Sequence, residues 1–113
     1  MKKIEAIIQP ERLDAVRDAL VEADIAGMTI SSVEGFGKQH GIKEIYRGVE
    51  IVKKTVAKIK IEIVVSSDEW LNKALDIIIK NARTGNVGDG KIFVYDISKV
   101  IRIRTGEEDG KAL

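Results

Sequence analysis

The sequence predicts an α+β sandwich built from two βαβ units with a long loop between the halves, and three observations predict it. Residues 56–65 alternate, with Ile59, Ile61, Ile63 and Val65 on one side and Lys58, Lys60, Glu62 and Val64 on the other. That is the period-two pattern of a half-buried strand. Two other stretches repeat apolar residues at helical spacing: Leu13, Val16, Leu20 and Ala23, then Leu71, Ala74, Leu75, Ile78 and Ala82. Each of these lies between strand-like runs. Two such βαβ units give a ferredoxin-like fold, with both helices on one face of an antiparallel sheet.

In chain order, residues 2–8 end in the apolar run Ala6-Ile7-Ile8 and read as the first strand. Pro10 falls where a first helical turn begins, a position that tolerates its missing N–H. Gly27 is the expected helix stop. Met28 to Val33 reads as the second strand, ending at Gly35-Phe36-Gly37. Between Gly37 and Lys54 there is neither clean periodicity nor a core pattern, so a long loop is expected. Loops of that length in a small domain are usually functional or disordered.

After the strand at 56–65, Ser66-Ser67-Asp68-Glu69 reads as a capping box, with Ser66 as N-cap and Glu69 at the third helical position. Trp70 is expected to pack at the edge of that helix start, and Gly85 to end the helix. Residues 91–97 read as a fourth long strand, 100–104 as a short fifth, and the polar tail from Thr105 as mobile. On the fourth strand Ile92 and Val94 face one way, Phe93, Tyr95 and Ile97 the other. Helices cover only one face of the sheet, so a doubly apolar strand predicts a partner surface, most simply a second copy.

The 113 residues predict one domain spanning the chain. With 19 basic and 18 acidic side chains the net charge is +1, which argues against a generic nucleic-acid partner. The absence of cysteine excludes disulfides, thiolate catalysis and cysteine-based metal sites. No apolar run has signal-peptide or transmembrane form, so a cytoplasmic protein with no direct membrane insertion is expected. His40, the only histidine, has no carboxylate beside it and makes a poor metal site or base. No Ser/His/Asp set or paired acid and base stands out, so an enzyme is not expected. An RNA-binding sheet that stacks bases on Phe93 and Tyr95 is a further reading. Near-neutral charge and the lack of an aromatic pair on a neighbouring strand favour core packing instead.

The most informative stretch is Thr84 to Val94, Thr-Gly-Asn-Val-Gly-Asp-Gly-Lys-Ile-Phe-Val. Glycine permits positive φ and close backbone approach, and successive N–H groups can then line a concavity that suits phosphate. Lys91 adds a charge. A helix-ending Gly85 followed by a loop into a strand gives similar composition, and these residues alone leave both readings open.

Thr84-Gly85 with Gly88-Asp89-Gly90-Lys91-Ile92-Phe93-Val94 resembles the C-terminal signature of the PII nitrogen-regulatory signal proteins. Gly27-Met28-Thr29, Gly35-Phe36-Gly37-Lys38-Gln39, Tyr46-Arg47-Gly48, Lys58-Ile59-Lys60-Ile61-Glu62 and Arg102-Ile103-Arg104-Thr105-Gly106-Glu107 resemble further motifs of that family, in order and with family-like spacing. The resemblance covers essentially the whole chain. It implies a homotrimer that binds ATP or ADP in clefts between subunits and, with ATP and Mg²⁺, 2-oxoglutarate. It also implies a target-contacting T-loop over residues 37–55, a nucleotide-binding loop over 83–91 and a C-terminal loop and tail over 102–113. The targets it implies belong to nitrogen metabolism, an ammonium channel foremost. A small ATP-hydrolysing enzyme on the same fold is the alternative.

By the same resemblance, Gly88, Asp89 and Gly90 match the phosphate-cradling loop, and Lys91, Arg102 and Arg104 match its cationic phosphate contacts. Arg102 and Arg104 are two apart and are expected on one side of an extended segment; a solvated basic edge is the alternative. Thr29, Glu62 and Val64 match the nucleoside pocket, and Gly27, Met28, Gly35, Gly37 and Lys38 belong to the same ligand-binding motifs. Gln39 matches a side-chain ligand of Mg²⁺, an ion mostly held by phosphates and a few oxygen donors. Lys58 matches the cation that pairs with a 2-oxoglutarate carboxylate. Tyr46, Arg47, Lys53 and Lys54 are the implied partner contacts. The chain departs from the family at Ile51, where the nucleotidylated tyrosine is often found, and at Val49, where some relatives carry a phosphorylated serine. Nucleotidylation of the loop is therefore not expected.

Overall fold

The four long strands and two helices form where the apolar pattern puts them, with differences at their ends, while the expected loop and the expected fifth strand differ outright. The computed structural model describes residues 1–36, 43–46, 49–52 and 55–113, with 43–46 and 49–52 described as strand backbone. Strand β1 (Lys2–Ile8) turns Ile4, Ala6 and Ile8 into the core. Pro10 opens a single 3-10 turn, Pro10–Arg12, which leads into α1 (Leu13–Glu22) with Val16 and Leu20 buried.

Gly27 does not stop this helix. The stop is Asp24, whose φ is +66°. Its N–H reaches the Val21 carbonyl at 3.0 Å, and the Ile25 N–H reaches the Leu20 carbonyl at 2.9 Å. This is a Schellman motif, completed by apolar contact between buried Ile25 and Leu20. Aspartate enters the left-handed region more readily than most residues, so no glycine is needed.

Strand β2 (Met28–Gly35) follows. The stretch expected as an open loop contains two short strands, β3 (Lys43–Tyr46) and β4 (Val49–Val52), paired antiparallel with Tyr46 opposite Val49. Strand β5 (Val56–Val65) then leads to α2 (Asp68–Ala82). The cap of α2 sits one residue later than predicted: Ser67 is the N-cap and its Oγ accepts the Trp70 N–H at 3.3 Å. Ser66 and Glu69 therefore do not form the expected capping box. Ser67→Ala should cost about 1 kcal/mol of stability, whereas Ser66→Ala should stay within about 0.5 kcal/mol. Urea unfolding of the two variants checks this, and the reverse ranking would return the cap to Ser66.

Helix α2 ends at Ala82 with Arg83 as an extended C-cap, so Gly85 is not its stop. Strand β6 (Gly90–Asp96) completes an antiparallel sheet of order β2-β5-β1-β6, the ferredoxin-like arrangement. Ile4 lies opposite Ile63 and Val94, and Ala6 opposite Ile61 and Ile92. Under the two helices this row meets Val16, Leu20, Ala74 and Ile78 in one core cluster. Fully buried Val, Leu and Ile side chains such as Val16, Leu20 and Ile78 contribute about 1.5–3 kcal/mol each.

Among the described residues no helix covers the opposite face of the sheet. Edge strand β6 leaves Phe93, Val94 and Tyr95 each 45% exposed. Val94 faces the helix side yet stays half uncovered, whereas Ile92 on the same face packs against the core. Residues 100–104 form no strand. Ile101 makes a single bridge to Glu108, the Gly106 N–H bonds the Arg102 carbonyl at 2.8 Å, and a 3-10 turn, Asp109–Ala112, follows. The tail from Thr105 is thus folded back rather than free.

Candidate functional site

The sequence-predicted residues gather in two places. The first is the glycine-rich loop between α2 and β6. Its Gly85, Gly88 and Gly90 have φ of +87°, +100° and +106°. The Asp89 carboxylate turns inward and pins the loop, accepting from the Thr84 N–H at 2.8 Å, the Gly85 N–H at 2.9 Å, the Gln9 side-chain amide at 3.2 Å and the Thr84 hydroxyl. From β5 the Lys58 ammonium donates to the Gly88 carbonyl. Among the described residues the N–H groups of Val87 and Gly88 meet no acceptor, which leaves them available to an anion. A Cβ on Gly35 would lie 3.5 Å from Lys58 Cγ, so β2 brings Gly35 beside the same lysine. Gly90 and Lys91 line a cavity of about 310 Å³ with Arg83 and Ile7.

The Thr84 hydroxyl, then the Thr84 and Gly85 backbone N–H groups, hold the Asp89 carboxyl below its ordinary range, with the Lys58 charge adding to them. A carboxyl depressed by folding contributes stability that is full above its unfolded pKa of about 3.9. That contribution is lost as pH falls through the lower folded value. Amide exchange should therefore show Thr84 and Gly85 protected at pH 7 and losing protection below about pH 4. Asp89→Ala should remove the protection at every pH, and unchanged protection in that variant would discard the pin.

The second place is the helix-free face at β2 and β5. Thr29 lies opposite Glu62 in the sheet register. Gly27, Thr29, Glu62 and Val64 line a groove of about 580 Å³ together with Lys3 and Trp70. Lys3 bridges Glu62 at 2.7 Å, and Lys60 stands 3.6 Å from Glu5, whose carboxylate also accepts the Tyr95 hydroxyl at 2.6 Å. Glu5 and Glu62 face each other across β1 and β5, a like-charge pair that the two lysines offset. The hydrogen bond from Lys3 holds the Glu62 carboxyl low, and Glu62 in turn raises Lys3.

The two places are not one site within a single chain. Lys58 and Glu62 are four strand residues apart, about 13 Å. Met28 does not line the groove; it faces the helices and packs against the core. Arg102 and Arg104 do not share an extended segment, since the chain turns over residues 103–105. The Arg102 guanidinium is engaged by Glu107 at 3.5 Å and the Ala112 carbonyl at 3.4 Å, and Arg104 is exposed. Gly37, Lys38, Gln39, Arg47, Lys53 and Lys54 lie outside the described residues, and of Tyr46 the backbone alone is described. Sequence reading missed Gln9 and Lys3, and named Thr84 without its role as a partner of Asp89. Lys3 could have been found from its alternation with Glu5 on the helix-free side. The other two act through a loop closure that no periodicity announces.

Among the described residues no group of three or more histidine, cysteine, aspartate or glutamate side chains is placed to hold a metal, and no helix is long and apolar enough to cross a membrane. The family model described as "Nitrogen regulatory protein P-II" matches residues 1–107. The chain is 56% identical to the nitrogen regulatory protein P-II of Klebsiella oxytoca and to the nitrogen regulatory protein P-II 1 of Escherichia coli K12, over all of both chains in each case. It is 53% identical to the corresponding protein of Pasteurella multocida, again over the full length of both.

Proposed function

The chain belongs to the nitrogen regulatory protein P-II family, and from that premise we propose that it reports nitrogen status by binding ATP or ADP. The family's role is nitrogen-regulatory signalling, and the curated relatives are named as regulators rather than enzymes. One observation carries the nucleotide reading: a glycine-rich loop held open by Asp89 and Lys58, with N–H groups free to meet phosphate and Lys91 beside it. The base and ribose then belong in the groove at Thr29, Glu62 and Val64. Because those halves lie apart within one chain, a homotrimer that sets one copy's loop against its neighbour's groove completes the site, and it covers exposed Phe93 and Tyr95.

In the ATP state the protein takes up 2-oxoglutarate with Mg²⁺. The described donors near the loop are an ammonium and backbone N–H groups, while the Asp89 carboxylate is already engaged. Such a donor set fits an ion that arrives on the triphosphate rather than one held in a protein cage. Gln39 would add a neutral oxygen, and Lys58 would take the carboxylate of the effector. Residues 37–55 would carry the signal to a nitrogen-metabolism target, foremost an ammonium channel, through Tyr46, Arg47, Lys53 and Lys54.

Calorimetric titration with ATP and Mg²⁺ tests the reading, alongside light scattering across a dilution series. Saturable binding and a three-copy mass are expected, with Lys91→Ala weakening ATP by about tenfold or more, the worth of a charge-assisted hydrogen bond. A monomer that binds no ATP would end this reading.

A further inference from the structure

The groove at Thr29, Glu62 and Val64 has two walls that no recognised motif supplies. One is Trp70, the only tryptophan in the chain; the other is the pair Ala112 and Leu113. Trp70 stands in the first turn of α2, where the Ser67 cap fixes its backbone. The ring is 36% exposed, and the Lys73 ammonium lies 4.9 Å from its centroid. The ring thus meets a cation and also lines the groove.

Leu113 reaches the groove because the tail doubles back. The Ile101–Glu108 bridge begins the return, and the Asp109 N–H bonds the Val100 carbonyl at 2.8 Å. The 3-10 turn that follows delivers Ala112 and Leu113 to the groove, with Arg102 holding the Ala112 carbonyl. With the tail in place the groove still encloses about 580 Å³, inside the range that small-molecule sites occupy. The tail is therefore a wall rather than a plug. The Lys3–Glu62 pair and Thr29 line the same groove. A groove that offers apolar and polar lining together suits a flat heteroaromatic ring that carries donors and acceptors on its edge.

We propose that Trp70 and Leu113 clamp the base of the bound nucleotide from two sides of this groove. The proposal rests on the nucleotide reading above and adds two contacts to it. Both contacts are to the base, so their loss affects ATP and ADP alike, unlike the loss of a group that meets the terminal phosphate.

The test is calorimetric titration of the full chain and its variants with ATP and with ADP, each with Mg²⁺, together with Trp70 emission. Removing a base–aromatic contact should weaken both nucleotides about tenfold in Trp70→Leu. Trp70→Phe should restore most of that affinity, and Leu113→Ala, a change at a 42% exposed side chain, should weaken both nucleotides several-fold. Trp70 emission in the unaltered chain should change on ATP addition with the same midpoint as the heat. Unchanged affinity in both Trp70→Leu and Leu113→Ala, with ATP still bound by the unaltered chain, overturns the clamp alone. Tighter binding by Leu113→Ala also overturns it, because the tail would then be an obstruction. Failure of the unaltered chain to bind ATP overturns the nucleotide reading and the clamp together.

Discussion

Gly90→Ala is expected to lower the thermal midpoint by about 15 °C, far more than Gly85→Ala or Gly27→Ala. A Cβ built on Gly90 would lie 1.7 Å from the Ile7 carbonyl oxygen and 2.8 Å from its carbon, at a φ of +106°. The left-handed backbone alone costs about 1–3 kcal/mol for a residue with a side chain. Displacing β1 to relieve the contact adds a comparable overpacking cost of about 1–3 kcal/mol, and each kcal/mol shifts the midpoint of a domain this size by several degrees. Two companions separate the terms. Gly85→Ala has the positive φ, +87°, but open space around it, so strain alone should appear, about 1 kcal/mol. Gly27→Ala has neither a positive φ nor a neighbour within 4 Å, and should change the midpoint little. Melting at one fixed protein concentration checks the series, since assembly makes the midpoint concentration-dependent. A Gly90→Ala midpoint within a few degrees of the unaltered chain would show that the start of β6 yields without cost.

That series also shows what the sequence could and could not disclose. The strands and helices were legible because Ile59, Ile61 and Ile63, or Val16 and Leu20, repeat at a period that only one element satisfies. The glycines of the loop were legible as permissive residues, but not the purpose of each. Gly90 is required by a strand carbonyl beside it, and Asp89 by the Thr84 and Gly85 amides it closes over. Those partners come from tertiary packing and have no period. The helix ends were misplaced for a related reason: Asp24 and Ser67 perform the stop and the start, while Gly27, Gly85 and Ser66 fit the same residue preferences one to three positions away. Of the candidate site, the residue types were readable, and their division between two separate places was not. Position along β5 separates Lys58 from Glu62, and the β2–β5 register that sets Thr29 beside Glu62 and Gly35 near Lys58 is not written in any single motif.

2-Oxoglutarate is expected to bind with ATP and Mg²⁺, and not with ADP or with ATP plus a chelator. The effector is a dianion brought beside a triphosphate. Each like-charge pair at about 4 Å opposes binding by roughly 1 kcal/mol in water and about 4 kcal/mol near a protein surface. A shared divalent ion removes that opposition, and ADP lacks the terminal phosphate that completes its surroundings. Lys58 is expected to neutralise a carboxylate, a charge-assisted contact of about 1.5–3 kcal/mol, so Lys58→Ala should weaken the effector about tenfold to a hundredfold. The same ammonium holds the Gly88 carbonyl, so this variant should also weaken ATP, though less, because the Asp89 contacts remain. An ammonium has three donors and can serve both partners. Calorimetry in the three conditions decides the matter. Equal effector binding in all of them, or an unaffected Lys58→Ala protein, would mean that this chain senses no 2-oxoglutarate. Where a target prefers the effector-free form, linkage requires it to weaken effector binding by the same factor.

The inward-turned carboxylate of Asp89 has a kinetic consequence. A glycine-rich loop would otherwise sample many shapes, and each arriving ligand would have to freeze it. Here the ordering entropy is met once, when the chain folds, because the Thr84 and Gly85 amides are already tied to Asp89. Capture then requires little beyond encounter and orientation. On the nucleotide reading proposed above, the lifetime of the bound state, rather than the speed of arrival, is where one nucleotide would be told from another.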